Sequence, residues 1–273
     1  MPLILKAIIT GIVEGLTEFL PVSSTGHMII VGDLINFNDE FAKLFQVVIQ
    51  LGAILAVVFL YWDKIWNSLK NLMPGQWGFK LWRNVVVGVI PFGILGFLLE
   101  DYIDEHLFNT LTVVSALIFG AILMILVENK YRKRRGINDM DNISLGQAFF
   151  IGCFQCLALW PGMSRSASTI IGGLLAGVGS VAAAEFSFFL AIPVMVGASG
   201  VKLIKDGGAI AGVEQVVALG IGFLVSFIVA YVVIEKFLGF LKKRPMRIFA
   251  IYRIVLGLAL IVLAALKVIN VTA

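Results

Sequence analysis

Six long apolar runs constrain the fold of this chain more than any other feature of its sequence. A helix of about 20 apolar residues crosses the hydrocarbon core of a bilayer. Charged residues make up only 14% of the 273-residue chain, against about 25% in soluble proteins. We therefore predict an all-α polytopic membrane protein with about six transmembrane helices. The predicted spans lie at residues 41–61, 84–99, 111–127, 181–204, 213–234 and 248–268.

Two further apolar stretches are interrupted in the middle by polar segments that contain proline. "FLPVSSTGH" interrupts residues 3–35, and "LWPGMSRSAST" interrupts residues 145–178. Irregular backbone is tolerated at membrane depth only where protein buries it or where it lines a wet cavity. Each stretch is therefore predicted to be a re-entrant helix–loop–helix pair that enters and leaves on one side. An ordinary kinked span is the alternative.

The two interrupted stretches indicate an internal duplication with an offset of about 140–145 residues. Pro21 corresponds to Pro161, and "EFAKLFQVVIQLG" (40–52) corresponds to "EFSFFLAIPVMVG" (185–197). Each half then has one re-entrant pair and three spans, and an odd number of spans gives the halves opposite orientations. The prediction is an inverted-topology repeat, with its functional site near the midplane. The first repeat covers 1–128, a basic cytoplasmic linker 129–144 and the second repeat 145–273.

Charge in the loops predicts how the chain lies in the membrane. The loops at 62–83, 128–144 and 235–247 are basic, whereas the loops between them are acidic or balanced. Basic loops face the cytoplasm. Both termini are therefore expected on the outer side of the membrane, and the first re-entrant pair is expected to open to the external face. The net charge of +4 is explained by topology, and nucleic-acid binding is not expected.

Glu14 and Glu18 are the first candidate site residues. Four residues apart, they share one face of a helix. Ionisable groups inside a membrane segment are costly and by default indicate function. Because Pro21 ends this helix, Glu18 lies near its C-terminus, where the helix dipole disfavours a carboxylate. A purely structural role as helix-end charges is the alternative.

The two polar loops contain candidate phosphate-binding groups. Hydroxyls and a glycine before a helix resemble an anion site formed by free backbone N–H groups, although helix capping alone is an alternative explanation. An arginine at this depth needs an anionic partner, which is either the glutamate pair or a bound phosphate gripped in bidentate fashion. The residues are Ser23, Ser24, Thr25 and Gly26 in the first loop and Ser164, Arg165 and Ser166 in the second.

These groups together suggest metal-assisted chemistry on a phosphate ester or anhydride. Two carboxylates would repel a diphosphate, and a divalent cation bridging carboxylate and phosphate removes the conflict. Glu14 and Glu18 are the predicted metal ligands, with Mg²⁺ or Ca²⁺ as the expected ion. His27 could be a nucleophile or a general acid–base. Ser24 is a second candidate nucleophile, with His27 as its activator, and the sequence does not choose between them.

The segments "EGLTEFLPVSSTGH" and "LWPGMSRSAST" resemble the two signature motifs of the bacterial undecaprenyl-pyrophosphate phosphatase family, the bacitracin-resistance proteins. The resemblance extends along the whole chain, including "GCFQCLALWPG" and "AAEFSFFLAIP". One departure is Ala167, where the family usually has glycine; we expect a helical φ there and little effect. The motif residues of the family correspond here to Glu14, Glu18, His27, Pro161, Gly162, Ser164 and Arg165.

The resemblance implies an enzyme that removes one phosphate from a C55 polyprenyl diphosphate and so recycles the lipid carrier of cell-wall synthesis. It also implies a divalent cation and action at the outer face of the membrane. The expected partners are the lipid substrate and the bilayer, and a homodimer is a further expectation. The alternative function is a lipid-phosphate transporter or flippase, because inverted repeats with broken helices are typical of transporters.

Overall fold

The computed structural model describes residues 1–107, 109–131 and 136–266 of a helical protein. The helices of the first half are α1 (Leu3–Thr17), α2 (Ser24–Leu34), α3 (Glu40–Leu60), α4 (Trp62–Leu69), α5 (Trp77–His106) and α6 (Thr110–Tyr131). Those of the second half are α7 (Leu145–Gln155), α8 (Arg165–Leu175), α9 (Ser180–Asp206), α10 (Val213–Lys243) and α11 (Arg247–Ala265).

Six of these helices are long and apolar enough to cross a membrane, namely α3, α5, α6, α9, α10 and α11. They coincide with the six predicted spans and confirm an all-α polytopic membrane protein. Several are longer than predicted, because hydropathy detects only the apolar centre of a helix. Backbone hydrogen bonding continues into polar ends, so α5 covers Trp77–His106 rather than 84–99, and α10 runs to Lys243 rather than 234.

Both predicted interruptions are present. The backbone leaves helical geometry between α1 and α2 and again between α7 and α8, and in each pair the two helices pack against each other. The second helix of each pair has an N-cap serine with a left-handed backbone, Ser23 at φ 71° and Ser164 at φ 71°. The interval between these two cap serines falls within the predicted offset. The matched caps support a duplication, and the inverted orientation of the halves stays a prediction.

Glycines allow the broken pairs to pack closely on the long spans of the opposite half. Helix α1 packs on α10, and α7 packs on α5. A side chain at Gly11 would overlap the carbonyl oxygen of Gly222, and one at Gly152 would overlap that of Gly88. The interval between Gly11 and Gly152 equals that between the two cap serines. Small residues of this kind let membrane helices approach backbone to backbone, and they bring each broken pair into the other half of the molecule.

The structure describes only part of the linker predicted at 129–144. Helix α6 continues to Tyr131, and the basic residues 132–135 lie outside the described residues. The rest of the segment docks on the first half, where Asp141 forms an ion pair with Lys64 at 2.9 Å and its carbonyl accepts from Lys80. The division into two repeats joined by a basic linker stays a prediction.

Helix α4 lies where the sequence predicted a loop. It is short and amphipathic, burying Ile65 and Ser68 while Trp62 and Trp66 stack with exposed rings. Such a helix suits the membrane–water interface, where aromatic rings are favoured. Trp82 does not share this position, because its indole N–H donates to Ser68 Oγ at 2.8 Å and its ring packs on the core.

Candidate active site

The two interrupted loops meet in the interior of the protein. Ser166 Oγ of the second loop donates to the carbonyl oxygen of Phe19 in the first, at 2.7 Å. Arg165 Nη2 lies 3.2 Å from Glu18 Oε1, although the two residues are far apart in the chain. The structure therefore brings the guanidinium of the second loop into contact with the acidic pair of the first, the glutamate pair being one of the two partners considered for Arg165.

Glu18 is the common acceptor at this junction. It caps the C-terminus of α1 and is only 7% exposed. One carboxylate oxygen accepts from Arg165, and the other accepts from Ser24 Oγ at 2.7 Å. A hydroxyl, a carboxylate and a guanidinium are thus connected by two hydrogen bonds. The contacts extend from the first residue of α2 to the first residue of α8.

Glu14 lies one turn earlier on the same face of α1 and is 1% exposed. It is within electrostatic reach of both Glu18 and Arg165. Its Oε1 is buried, and no described residue donates a hydrogen bond to it. A buried carboxylate oxygen without a donor fits a bound cation. Because no three or more acidic, histidine or cysteine side chains among the described residues are placed so that they could hold a metal ion together, further ligands would come from the phosphates of a substrate.

Arg165 begins α8, and contacts on several sides hold its guanidinium. Nη1 donates to the carbonyl oxygen of Ser187 at 2.9 Å and to its hydroxyl at 3.2 Å. The guanidinium also lies 5.9 Å from the ring centroid of Phe19. Ser187 is itself fixed by Thr169, whose Oγ1 donates to it at 2.6 Å. These contacts orient the arginine, while its buried Nε–H has no acceptor among the described residues.

The three hydroxyl residues predicted at the start of α2 have different contacts. Ser23 Oγ accepts from the N–H of Gly26 at 3.3 Å and so caps the helix. Ser24 points to Glu18. Thr25 makes no side-chain hydrogen bond within the described part of the chain, and its hydroxyl remains available. The first backbone N–H groups of a helix lack intrahelical partners. The start of α2 therefore offers free backbone N–H donors next to the hydroxyls of Ser24 and Thr25.

The second loop repeats this cap but uses its other serine differently. Ser164 Oγ accepts from the N–H of Ala167 at 3.2 Å. Ser166 is fully buried by its bond to the first loop, so the predicted phosphate ligand acts here as a link between the loops. Ala167 lies within helix α8, as expected, and its side chain needs no left-handed backbone.

His27 is held at both ring nitrogens. Nδ1 lies 2.7 Å from the carbonyl oxygen of Ser23, and Nε2 lies 2.7 Å from the hydroxyl of Tyr252 in α11. A carbonyl only accepts, so Nδ1 carries a proton and Nε2 of the neutral ring accepts from Tyr252. The structure therefore pairs Ser24 with Glu18, and His27 is not its hydrogen-bond partner.

Sequence reasoning missed several buried or site-contacting polar residues. Arg253 and Tyr252 were missed because they lie inside a predicted apolar span, although a charge at membrane depth by default indicates function. Gln155 is fully buried, and neither amide atom has a partner among the described residues. It follows Glu14 at the same interval that separates the two cap serines, so the duplication places it at the equivalent position. The remaining residues that were missed are Thr169 and Ser187.

These features define an integral membrane protein with a buried, charged site shared between two broken helices. The chain belongs to the family described as Bacitracin resistance protein BacA, whose sequence profile matches residues 7–259. It is 60% identical over 272 residues to the undecaprenyl-diphosphatase of Clostridium tetani, covering 99% of this chain and 100% of that protein. It is 56% identical to the undecaprenyl-diphosphatase of Clostridium novyi (98% of each chain) and 52% identical to that of Caldanaerobacter subterraneus (99% of each).

Proposed function

We propose that this protein hydrolyses undecaprenyl diphosphate to undecaprenyl phosphate and inorganic phosphate. One observation carries the proposal: Glu18 connects the hydroxyl of Ser24 at 2.7 Å with the guanidinium of Arg165 at 3.2 Å in the protein interior. This set contains a nucleophile, a base and an anion ligand, which are the parts that phosphoryl transfer needs. The names of the relatives agree with this chemistry, and family membership connects it with bacitracin resistance.

In the mechanism that this geometry favours, Ser24 is the nucleophile and Glu18 its general base. Ser24 Oγ attacks the terminal phosphorus while its proton passes to Glu18. The bond between that phosphorus and the bridging oxygen breaks, and the lipid monophosphate leaves with the oxygen. Water then cleaves the phosphoserine, releasing inorganic phosphate and restoring Ser24. Arg165 stabilises the charge that develops on the transferred group.

The role we assign to His27 follows from its two hydrogen bonds. With Nδ1 bound to the carbonyl of Ser23 and Nε2 bound to Tyr252, the imidazole fixes the first turn of α2 against α11. That turn carries Ser24 and Thr25. His27 therefore positions the phosphate-binding turn, and attack by its own nitrogen would first require the loss of one of these bonds.

A divalent cation, Mg²⁺ or Ca²⁺, is part of the proposal. Glu14 and Glu18 would hold it, and the unpartnered Oε1 of Glu14 supports this assignment. When bound, the cation would offset the repulsion between the carboxylates and the diphosphate and polarise the phosphoryl oxygens. In this proposal Glu14 and Glu18 share the cation, and Glu18 in addition receives the proton of Ser24.

We further propose a location in the bacterial plasma membrane, with the site open to the external face and both termini outside. The basic loops 62–83 and 235–247 support this orientation through the preference of Lys and Arg for the cytoplasmic side. Association into a homodimer stays a prediction. The substrate and the bilayer are the partners that the site and the apolar helices require.

The test is phosphate release from undecaprenyl diphosphate by the purified protein in detergent, with and without a chelator. Wild type should release phosphate, and the chelator should abolish release. Ser24→Ala should lose turnover, whereas Ser115→Ala, which removes a hydroxyl bonded only within α6, should retain it. Substrate labelled in the terminal phosphate should leave label on Ser24 after rapid acid quench.

The remaining outcomes separate the alternatives. Label on histidine would exclude Ser24 as the nucleophile. Full turnover by Ser24→Ala without any labelled protein would assign the attack to water. Movement of lipid across vesicles by wild type without phosphate release would overturn the enzyme and favour the transporter, because an anion carrier needs binding without bond cleavage.

A further inference from the structure

Helix α11 places a second arginine against both broken loops. Arg253 is completely buried. All five of its N–H groups donate to backbone carbonyl oxygens: Nε to Leu117, Nη1 to Pro21 and Met163, and Nη2 to Ala116 and Gly162. A guanidinium has five donors in a fixed planar arrangement, so every donor of this side chain is used.

The carbonyl partners come from three separate elements. Pro21 belongs to the first broken loop, Gly162 and Met163 to the second, and the other two partners to α6. The bond from Nη1 to Met163 is 2.8 Å and that to Pro21 is 3.4 Å. One nitrogen thus bridges the two loops. Pro21 lies three residues before Ser24, and Met163 lies two residues before Arg165.

The surroundings of Arg253 are built around its guanidinium. A side chain at Gly120 in α6 would overlap Nη2 of Arg253, so only glycine lets the guanidinium reach the backbone of α6. No carboxylate pairs with Arg253 among the described residues, and its partners are neutral carbonyls. An unpaired charge at membrane depth is costly. If residue 253 only packed α11 against its neighbours, an apolar side chain would be more stable there.

We propose that Arg253 is a positioning residue that holds the two broken loops in register, so that Ser24 and Arg165 act on one phosphate. The inference rests on the proposed phosphatase function. Among the described residues, Arg165 and Ser166 make direct bonds between the loops, and Arg253 of α11 bonds to the backbone of both loops in addition. A misplacement of about 1 Å between reacting groups can reduce a rate roughly 100-fold.

The experiment compares Arg253→Lys with Gly120→Ala in phosphate-release kinetics on undecaprenyl diphosphate. In Arg253→Lys the charge remains, but lysine has three donors on a flexible stem. In Gly120→Ala the arginine remains, but the new methyl group displaces its guanidinium. Both should lower kcat about 100-fold and change KM less than threefold. Gly257→Ala is the matched control at the same α6–α11 contact, because a side chain there meets Ile118 at an ordinary 3.4 Å. It should retain wild-type kcat.

A double variant distinguishes positioning from general stability. If Arg253 acts through the loops, Arg253→Lys should cause little further loss of the residual single-turnover rate in a Ser24→Ala background, because the aligned nucleophile is already absent. Wild-type kcat in Arg253→Lys and Gly120→Ala, with only a lower thermal midpoint, would overturn the inference and leave the phosphatase proposal intact. Failure of wild type itself to release phosphate would instead overturn the proposed function.

Discussion

Glu18 is a carboxylate in a position that is costly for a charge. It is buried at the C-terminus of a helix, where the dipole is unfavourable, and it accepts from two groups with different tasks. The ion pair with Arg165 offsets part of the lost hydration, and the hydroxyl of Ser24 donates to the second oxygen. A residue placed at such a cost is a strong candidate for a chemical role.

Replacing Glu18 by glutamine tests that role. The amide keeps the shape and still offers one acceptor, but it cannot take the proton of Ser24. We expect kcat for phosphate release to fall about 10²–10⁴-fold. Removing one partner of a buried ion pair also costs about 3–5 kcal/mol, so the free energy of unfolding in detergent should fall as well.

Glu40→Gln is the control for this change. Glu40 is an exposed carboxylate at the start of α3, and its loss should leave kcat at the wild-type value. Retention of more than a tenth of the activity in Glu18→Gln would exclude Glu18 as the base and direct attention to Glu14.

At the residue scale, the predictable part of the site is the part contained in compact polar motifs. Glu14, Glu18 and Arg165 were recognisable because charges interrupt an apolar background. Arg253 and Gln155 were missed because each is a single polar residue in a long apolar stretch, where averaging over a window removes the signal. The pairing of Ser24 with Glu18 rather than His27 depends on side-chain rotamers, which no spacing rule determines.

Among the structural elements, the two broken helices share an uncommon start. A left-handed backbone at a non-glycine residue costs about 1–2 kcal/mol, yet Ser23 and Ser164 both adopt it. In return, each side chain caps its helix. The strained serine turns the chain sharply, so that the next residue, Ser24 or Arg165, begins the helix at the site.

The left-handed backbone predicts an unusual order of stability among variants at Ser164. Alanine loses the cap and keeps the strain, whereas glycine loses the cap and relieves the strain. Ser164→Gly should therefore unfold at a higher temperature than Ser164→Ala. Ser144 is the matched position, because it caps α7 with an ordinary φ of −80°. The stability difference between the glycine and alanine variants should be about 1 kcal/mol larger at residue 164. Equal differences at the two positions would contradict the strain.

The glycine contact between α7 and α5 gives a second prediction at the element scale. Gly152→Ala forces a methyl group against the carbonyl of Gly88, and overpacking of this kind costs about 1–3 kcal/mol. We expect a lower thermal midpoint in detergent. Gly220→Ala in α10 meets nothing within 4 Å and should be neutral or slightly stabilising, since alanine favours helix. A Gly152→Ala protein as stable as wild type would show that the helices do not pack this closely.

Helices could be predicted wherever the length of an apolar run was enough to identify them. The six spans and the two interruptions follow from apolar runs and from proline. Helix α4 was not predicted, because its short sequence is too brief for a hydropathy window and its periodicity lies inside a basic loop. The packing of α1 on α10 and of α7 on α5 could not be predicted either, since it depends on which glycines face each other.

For the whole molecule, orientation in the membrane is the property that labelling can test. In a Cys153→Ala, Cys156→Ala background, Met73→Cys lies in a predicted cytoplasmic loop and Ala211→Cys in a predicted external one. Both positions are exposed. An impermeant maleimide added to intact cells should label only the cysteine at residue 211. Permeabilised cells are the control, since both positions should then react. The reverse pattern in intact cells would invert the topology and place the first loop on the cytoplasmic side.

The matched offset of the two cap serines has a consequence for which half of the molecule contributes which residues to the site. At that same interval along the chain, Ser24 corresponds to Arg165 and Glu14 to Gln155, so equivalent places in the two predicted repeats hold different side chains. In the proposed mechanism the first repeat supplies the acid pair and the attacking hydroxyl, and the second supplies the guanidinium of Arg165 that stabilises the charge on the phosphate. If the copies are inverted, exchanging these residues between them would rebuild the same reaction centre facing the opposite leaflet. The side on which such an enzyme works would then be a property of a few side chains, and the scaffold would serve either side equally.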